Sequence, residues 1–268
     1  MAIPKTLYRY EGINAYSLKN LKAQSLYMAS PLGFNDPYDC ALSIGINEIS
    51  DEGLGRLKSH YANREGLGSA EKQEFLSLSN SEMKAAFIGT VKSAIETDKQ
   101  SFLERRGVSC FSEKNDDLLM WAHYADCYRG FCLEFDTQST LFNKAIQVTY
   151  VPRIPVTDIV SWVIKRDVDH LNLLYGTKSI NWQHEKEWRV IHKEVGTSYG
   201  YPAEALKAIY FGPKIDVQIL EIICLIIQGQ NDKVEFWRGK LSKTEFKVEF
   251  EKFRYAPYLM AKKAGLSS

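Results

Sequence analysis

Two glutamates close together in the second half of the chain are well suited to acid and base chemistry. Glu185 and Glu187 are separated by one residue in the segment HEKEW, and Trp188 follows them. On an extended segment both carboxylates face the same side, and their mutual repulsion can raise the pKa of one of them. The bulk of Trp188 should anchor the strand and fix the Glu187 carboxylate. Exposed glutamates without a function show the same spacing, so both interpretations stay open at this point.

An arginine lies inside an aromatic segment near the start of the chain. Residues Thr6 to Tyr10 (TLYRY) alternate in a way that predicts a strand, and Arg9 lies within it. A guanidinium offers five N–H donors in a fixed plane, which suits a pyrophosphate or a carboxylate. The alternative is an arginine at the rim of a sheet that pairs with a nearby acid.

Hydroxyl and imidazole groups occur together in the block VSCFSEKNDDLLMWAHYA. Ser109 and Ser112 lie near the end of a predicted strand, where a hydroxyl can hydrogen-bond a ribose or cap a turn. His123 and Tyr124 lie on the helix predicted to follow. His123 is a candidate for an active-site hydrogen bond, and a helix histidine with a structural partner is the alternative.

The loop FNDPYD combines turn-forming residues with two acids. Asn35 and Pro37 are typical of a turn that its own side-chain to backbone hydrogen bonds make rigid. A purely structural role is less favoured for Asp36 and Asp39, whose carboxylates are also candidates for binding.

Several familiar sites are excluded by their missing motifs. The sequence has no GxxxxGK[ST] phosphate loop, no dinucleotide-binding GxGxxG and no GxSxG elbow. The histidines and cysteines do not fall at zinc spacing: His60, His123, His170, His184, His192, Cys40, Cys110, Cys127, Cys132 and Cys224. We therefore expect neither a metal ion nor a covalent serine intermediate.

Composition points to an ordinary globular protein. Hydrophobic residues make up 45% and charged residues 25% of the 268 residues, which predicts one elaborated domain over residues 1–268. The 34 basic and 33 acidic residues nearly cancel, so no overall field attracts nucleic acid or a membrane. The N-terminus lacks the apolar stretch of a signal peptide, and no apolar run approaches the ~20 residues of a membrane span. Scattered cysteines without a CxxC pair are typical of reduced thiols, so we expect a cytoplasmic protein.

The elements that must position these residues alternate along the chain. The sequence predicts a strand, a helix capped by Asn14, a strand from Ser25 to Ser30, and then a long loop. Residues 50–106 are predicted to be a helical insertion, with apolar residues at helical spacing: Leu54, Leu57, Tyr61, Phe75, Met83, Phe87, Val91 and Ile95. Further predictions are the strand GVSCFS, a helix capped by Asp116, the strands GFCLEF and AIQVTY, a helix from Val163 to Tyr175, the strands EKEWRVIHKE and AIYFG, a helix from Val217 to Ile227 and the strand FKVEFEKF. This order predicts an α+β fold.

Four blocks of sequence resemble a widespread bacterial family of unknown function. They are LYRYEG, SLKNLKAQSLYMASPLGFNDPYDC, VSCFSEKNDDLLMWAHYADCYRGFCLEF and WQHEKEWRVI. The FNDP turn, the WxHYA helix and the EKEWR strand are its marks. The resemblance runs from residue 7 to about residue 192, and family membership alone implies no activity.

The order of the blocks is also similar to the ADP-ribosyltransferase fold of the arginine-serine-glutamate type. That resemblance implies a split, mixed or antiparallel sheet and NAD as the substrate. Glu187 would be the catalytic carboxylate, Glu185 would act on the acceptor, and Ser109 or Ser112 would supply the middle motif. The middle motif here reads SCFS where the class has STS, which leaves the choice of serine open.

The remaining site residues follow from the same resemblance. Arg9 would steady the NAD phosphate and ribose, and Tyr10, Asn35 and Asp36 would complete the cofactor site. His123 and Tyr124 would join the catalytic set. Such chemistry suits a bacterial toxin or phage-defence effector that modifies nucleic acid or protein, with an antitoxin or defence-system partner. Two alternatives remain: a nucleotide-binding module without turnover, and a metal-independent RNase-like toxin that uses His123 and Tyr124.

Overall fold

The fold is mixed α+β and centres on one large sheet. The structure is a computed structural model that describes residues 2–41, 43–44, 49–66, 68–165, 169–257 and 262. The strands are β1 (Thr6–Glu11), β2 (Ser25–Tyr27), β3 (Ser43–Ile44), β4 (Gly107–Ser112), β5 (Phe131–Asp136), β6 (Ile146–Gln147), β7 (Thr149–Val151), β8 (Val156–Thr157), β9 (Thr177–Ser179), β10 (Glu187–His192), β11 (Ser198–Gly200), β12 (Leu206–Phe211), β13 (Glu235–Leu241) and β14 (Val248–Phe253). The helices are α1 (Ala15–Lys22), α2 (Asp51–Ala62), α3 (Ser69–Ser77), α4 (Asn80–Arg105), α5 (Leu118–Tyr124), α6 (Ile159–Lys165), α7 (Asp169–Gly176) and α8 (Val217–Gln228).

The chain forms two compact units. The sheet unit comprises Met1–Ser30, Arg106–Val148 and Asn181–Ser268. The helical unit comprises Pro31–Arg105 and Thr149–Ile180. The single domain over residues 1–268 that the composition predicts stays a prediction.

The sheet unit is built on an eight-stranded sheet. Its strand order is β14-β13-β12-β5-β1-β4-β10-β6. Strands β12 and β13 are parallel, and the other neighbouring pairs are antiparallel. The three strands that carry the predicted arginine, serines and glutamates, β1, β4 and β10, are therefore direct neighbours.

The two faces of this sheet carry different side chains, because successive residues of a strand point to opposite sides. The Leu7 face is apolar and carries Leu7, Phe111, Phe135 and Trp188, which pack in one core cluster. Helices α1 and α8 contribute Leu21 and other apolar residues to this cluster. The apolar stripe of α8 explains why this helix lies on a core.

The Tyr8 face is more polar and carries a smaller cluster. Tyr10, Cys132 and Tyr210 pack there with Trp121 and Met120 of α5. The side chain of Asp117 caps α5 by accepting hydrogen bonds from the backbone of its first turn, at 2.9 and 3.1 Å. This cap fixes the start of the helix that carries His123 and Tyr124.

The helical unit has its own core. Leu54 and Leu57 of α2 pack with Met83 of α4 and with Ile159 and Val160 of α6. Two short parallel strand pairs, β3 with β8 and β7 with β9, belong to the same unit. Helices occur throughout the segment predicted to be helical. Phe87 and Val91, predicted on its apolar face, have side chains outside the described part of the chain.

Several local predictions are confirmed and two need correction. Asn14 caps α1 as expected, through a reciprocal capping box with Ser17. The predicted cap Asp116 is wrong by one residue, because Asp117 holds the first turn of α5. The segment AIQVTY forms two short strands, β6 and β7, where one was predicted. The helix predicted from Val163 to Tyr175 appears as α6 and α7, with residues 166–168 outside the described ranges.

No helix within the described ranges is both long enough and apolar enough to cross a membrane.

At Gly130 other backbone atoms of the sheet unit come too close to leave room for a side chain. An added Cβ would lie 2.2 Å from the Glu11 carbonyl oxygen and 2.9 Å from the Ala125 backbone. Backbone atoms cannot move aside cheaply, so Gly130→Ala should lower the free energy of unfolding by about 2–3 kcal/mol. Urea denaturation measures this loss.

Gly200→Ala is the matched control, since its added Cβ meets nothing closer than 3.9 Å. It should change the free energy of unfolding by less than about 0.5 kcal/mol. Equal effects of the two substitutions would refute the close approach at Gly130.

Candidate functional site

A row of three side chains crosses the Tyr8 face on neighbouring strands. Tyr8 of β1 is the register partner of Ser112 of β4, and Ser112 is in turn the partner of Glu187 of β10. Directly opposed residues point to the same face, and neighbouring strands lie about 4.8 Å apart, so Tyr8 and Glu187 lie roughly 10 Å apart. The structure therefore brings one predicted serine and one predicted glutamate together, beside a tyrosine.

Glu187 forms a buried ion pair with Arg189 on its own strand. The guanidinium of Arg189 donates from Nε to Glu187 Oε1 at 2.8 Å and from Nη2 to Oε2 at 3.0 Å. Arg189 is fully buried, and Glu187 is 4% exposed. The two residues face the same side because they are two positions apart on a strand. The guanidinium fork matches the geometry of a carboxylate, so the two hydrogen bonds hold the Glu187 carboxylate in one orientation.

Glu185 reaches the same region by a route that the sequence does not predict. It ends a 3-10 helix, Ile180–Glu185, and Lys186 has a positive φ of 47° before β10 begins. The expectation of one extended segment through Glu185 and Glu187 is therefore wrong. The Tyr124 hydroxyl donates to Glu185 Oε1 at 2.6 Å.

Ser112 fixes the turn that precedes the glutamates. Its hydroxyl donates to the backbone carbonyl of Glu185 at 2.6 Å and accepts from the Lys114 backbone N–H at 3.1 Å. Ser112 is fully buried. This hydroxyl joins the end of β4 to the turn before β10, so it positions Glu185 and Glu187 together.

Arg9 lies on the other face of the sheet. It is one residue from Tyr8, and its Nη1 donates to the Ser109 hydroxyl at 2.5 Å, while its Nε donates to Glu11 at 2.6 Å. Its guanidinium carbon lies 5.9 Å from the ring centre of Phe111, which is in the apolar core. Burial lowers the pKa of Arg9, but the charge and hydrogen bond of Glu11 outweigh that effect and raise it.

Arg9 and Ser109 thus form a pair apart from Ser112 and Glu187. The sequence interpretation that matches this geometry is an arginine paired with a nearby acid. Within β4, the serine that shares a face with the glutamates is Ser112.

Tyr10 and His123 have different surroundings. Tyr10 is buried, donates to the Lys114 carbonyl at 2.9 Å, and packs edge-on against Trp121 with ring centres 5.3 Å apart. Burial raises the pKa of its hydroxyl above the ordinary value. His123 is exposed, and its ring centre is 6.0 Å from that of Trp182.

Asn35 and Asp36 belong to the helical unit. Asp36 is buried, and its Oδ1 accepts from the Tyr38 backbone N–H at 2.9 Å, which is the side-chain to backbone bond expected of this turn. Asp39 in the same loop forms a buried ion pair with Lys178 at 3.3 Å. Asn35 also lies in this loop.

Two members of the site were missed by sequence reasoning. Arg189 carried a signal, because a basic residue two positions after Glu187 on a predicted strand must share its face. Tyr8 carried none, since its place beside Ser112 depends on the register between two strands that are distant in sequence. Among the described residues, no group of three or more His, Cys, Asp or Glu side chains could hold a metal ion.

Comparison with known proteins gives one finding. The family model described as "Protein of unknown function (DUF2971)" matches residues 120–190, a stretch that includes Tyr124, Glu185 and Glu187. No curated protein and no solved structure matches the chain. The match supports a resemblance to a family of unknown function, and it indicates no activity for the chain.

The buried ion pair between Glu187 and Arg189 should contribute to the stability of the fold. Glu187→Gln and Arg189→Met should each lower the free energy of unfolding by about 3–5 kcal/mol, because each removes the two-pronged contact from a charge that stays buried. The double substitution removes both charges, so it should cost clearly less than the sum, with a coupling energy of about 2 kcal/mol. Urea denaturation of the four proteins measures this cycle.

The exposed pair between Glu235 and Lys252, at 2.5 Å, provides the matched control cycle. Its coupling energy should stay below about 1 kcal/mol because solvent screens both charges. Additive costs for Glu187 and Arg189 would contradict the interpretation of a buried, mutually dependent pair.

Proposed function

We propose that this chain is an NAD-consuming enzyme of the ADP-ribosyltransferase type, with its site on the Tyr8 face. The observation that carries the proposal is the row of Tyr8, Ser112 and Glu187 on adjacent strands, with Glu185 beside it. A site built from three neighbouring strands holds its groups more rigidly than loops do. The adjacency of β1, β4 and β10 also supports the strand arrangement that the resemblance implies.

The proposed chemistry breaks the bond between nicotinamide and the C1 carbon of ribose. The bonding electron pair leaves with nicotinamide, and positive charge builds on the sugar. A carboxylate that accepts a hydrogen bond from the adjacent ribose hydroxyl stabilises this charge. Glu187 has this role in the proposal, since the two-pronged contact with Arg189 fixes the position of its carboxylate.

The second half of the reaction assigns different work to Glu185. An acceptor nucleophile forms the new bond to C1 and must lose a proton. Glu185 takes that proton in the proposal, and the Tyr124 hydroxyl orients its carboxylate. Water as the acceptor gives NAD hydrolysis. Nucleic acid or protein as the acceptor gives the toxin or defence activity that the resemblance implies.

A second candidate is a module of the same fold that binds a nucleotide without turnover. The observation that favours it is the neutralisation of Glu187 by Arg189 in a site almost closed to solvent. A neutralised carboxylate gives less stabilisation to a developing cation than a free one does. NAD binding without release of nicotinamide identifies this alternative.

Substitution of the two glutamates separates their proposed roles. Glu187→Gln should lower nicotinamide release by ~10²-fold or more, both with and without cell extract, because both reactions share the sugar cation. Glu185→Gln should lower transfer of labelled ADP-ribose to extract far more than it lowers hydrolysis, because water needs less positioning. Chromatographic assay of nicotinamide, with label incorporation in parallel, measures both rates.

Glu204→Gln is the matched control, since Glu204 is an exposed acid in the sheet unit. It makes the same change of charge and should leave both rates unchanged. Circular dichroism of each variant checks that it remains folded at the assay temperature. Wild-type rates in Glu187→Gln would remove this residue from the mechanism, and equal losses in both variants would refute the division of roles.

Arg9→Lys tests whether the predicted cofactor clamp belongs to this site. Because Arg9 contacts Ser109 and Glu11 on the Leu7 face, lysine should lower the melting temperature, as a point charge does not reproduce the planar fork. The Kd for NAD, measured by calorimetry, should change less than about twofold. A tenfold weaker Kd would instead support the role that the resemblance gives to Arg9.

A further inference from the structure

A second group of polar and aromatic side chains lies on the Tyr8 face, beyond the Tyr8 end of the row of Tyr8, Ser112 and Glu187. Glu134 of β5 is the register partner of Tyr8, on the side away from Ser112. The hydroxyl of Tyr210 on β12 donates to Glu134 Oε2 at 2.5 Å. The rings of Tyr8 and Tyr210 meet edge to face with centres 6.0 Å apart. The Glu134 carboxylate thus lies beside two tyrosines, one across the strand pair and one that hydrogen-bonds to it.

The negative charge of Glu134 is not balanced within this group. Among the ion pairs of the described residues, none involves Glu134. Burial first, and then the charge of Glu134, raises the pKa of the Tyr8 hydroxyl to about 12. Glu134 and Tyr8 are partly buried, and each keeps some exposed surface that a ligand can contact.

Trp237 of β13 extends the aromatic surface. Its ring stacks on Tyr210 with centres 5.9 Å apart and planes at 19°. Its indole Nε1 is buried, and no described residue accepts its hydrogen. The ammonium group of Lys252 already lies 5.8 Å from the centre of the Trp237 ring, so the chain itself places a cation on this surface.

We propose that Tyr8, Glu134, Tyr210 and Trp237 form a binding site for a small organic cation of the quaternary ammonium type. Faces of aromatic rings attract cations, and such cages recognise quaternary ammonium groups in general. A carboxylate at the wall of the cage supplies the balancing charge, and a quaternary group requires no hydrogen bond from it. This site shares Tyr8 with the row of Tyr8, Ser112 and Glu187, but binding of a cation to it does not depend on the proposed function.

Binding can be followed through the indole N–H signals of the ¹⁵N-labelled full chain. The Trp237 signal is assigned by its loss in Trp237→Phe. Titration with tetramethylammonium chloride should shift this signal in a saturable way with a Kd of about 1 mM, while sodium chloride at equal ionic strength should not. Choline and a peptide with trimethylated lysine then distinguish a free amine from a protein side chain as the source.

Paired variants separate the contributions of charge and ring. Glu134→Gln should weaken tetramethylammonium binding about tenfold, and Glu204→Gln should leave it unchanged. Tyr8→Phe keeps the aromatic face and should bind within about threefold of wild type, whereas Tyr8→Leu should bind at least fivefold more weakly. No saturable shift by 50-fold the expected Kd, or equal binding by Tyr8→Phe and Tyr8→Leu, would overturn the proposal.

Discussion

The buried ion pair between Glu187 and Arg189 is the interaction on which the candidate site depends. Both charges lie almost entirely out of water, and such a pair is tolerated only when its geometry is good. The two-pronged contact supplies that geometry and requires both residues to face one side of β10. Trp188 and Val190 must then face the apolar core, which fixes the strand against a shift by one residue. The pair and the core therefore enforce the same register.

This register decides which side chains can act together. Ser112 shares the face of Glu187, whereas Ser109, three residues earlier on β4, contacts Arg9 on the other side. The SCFS segment therefore holds two serines with different partners. The Ser112 hydroxyl joins β4 to the carbonyl of Glu185, so the serine that faces the glutamates also positions them. Beyond this row, the same face continues to Glu134 and the aromatic rings around it.

The sequence predicted the face of each side chain within a strand better than it predicted which strands are neighbours. The alternation in EWRVIH was sufficient to assign Glu187 and Trp188 to opposite sides. It could not relate Arg9 to Glu187, because that relation depends on pairing between segments far apart in the chain. The sequence did not predict the turn between Glu185 and Glu187. That turn depends on a positive φ at Lys186, and no residue pattern indicates a positive φ at this residue, which is not glycine. The order of strands in the sheet required the structure for the same reason.

The most direct test of the proposed site compares the two serines of β4, which differ in face and share a strand. Nicotinamide release from NAD should be measured for the wild-type chain, Ser112→Ala and Ser109→Ala, with the melting temperature of each. The account predicts release by the wild type, a loss of at least about tenfold in Ser112→Ala because Glu185 and Glu187 lose their positioning contact, and a change below twofold in Ser109→Ala. A loss in Ser109→Ala with normal release by Ser112→Ala would contradict the account and move the site to the face of Arg9.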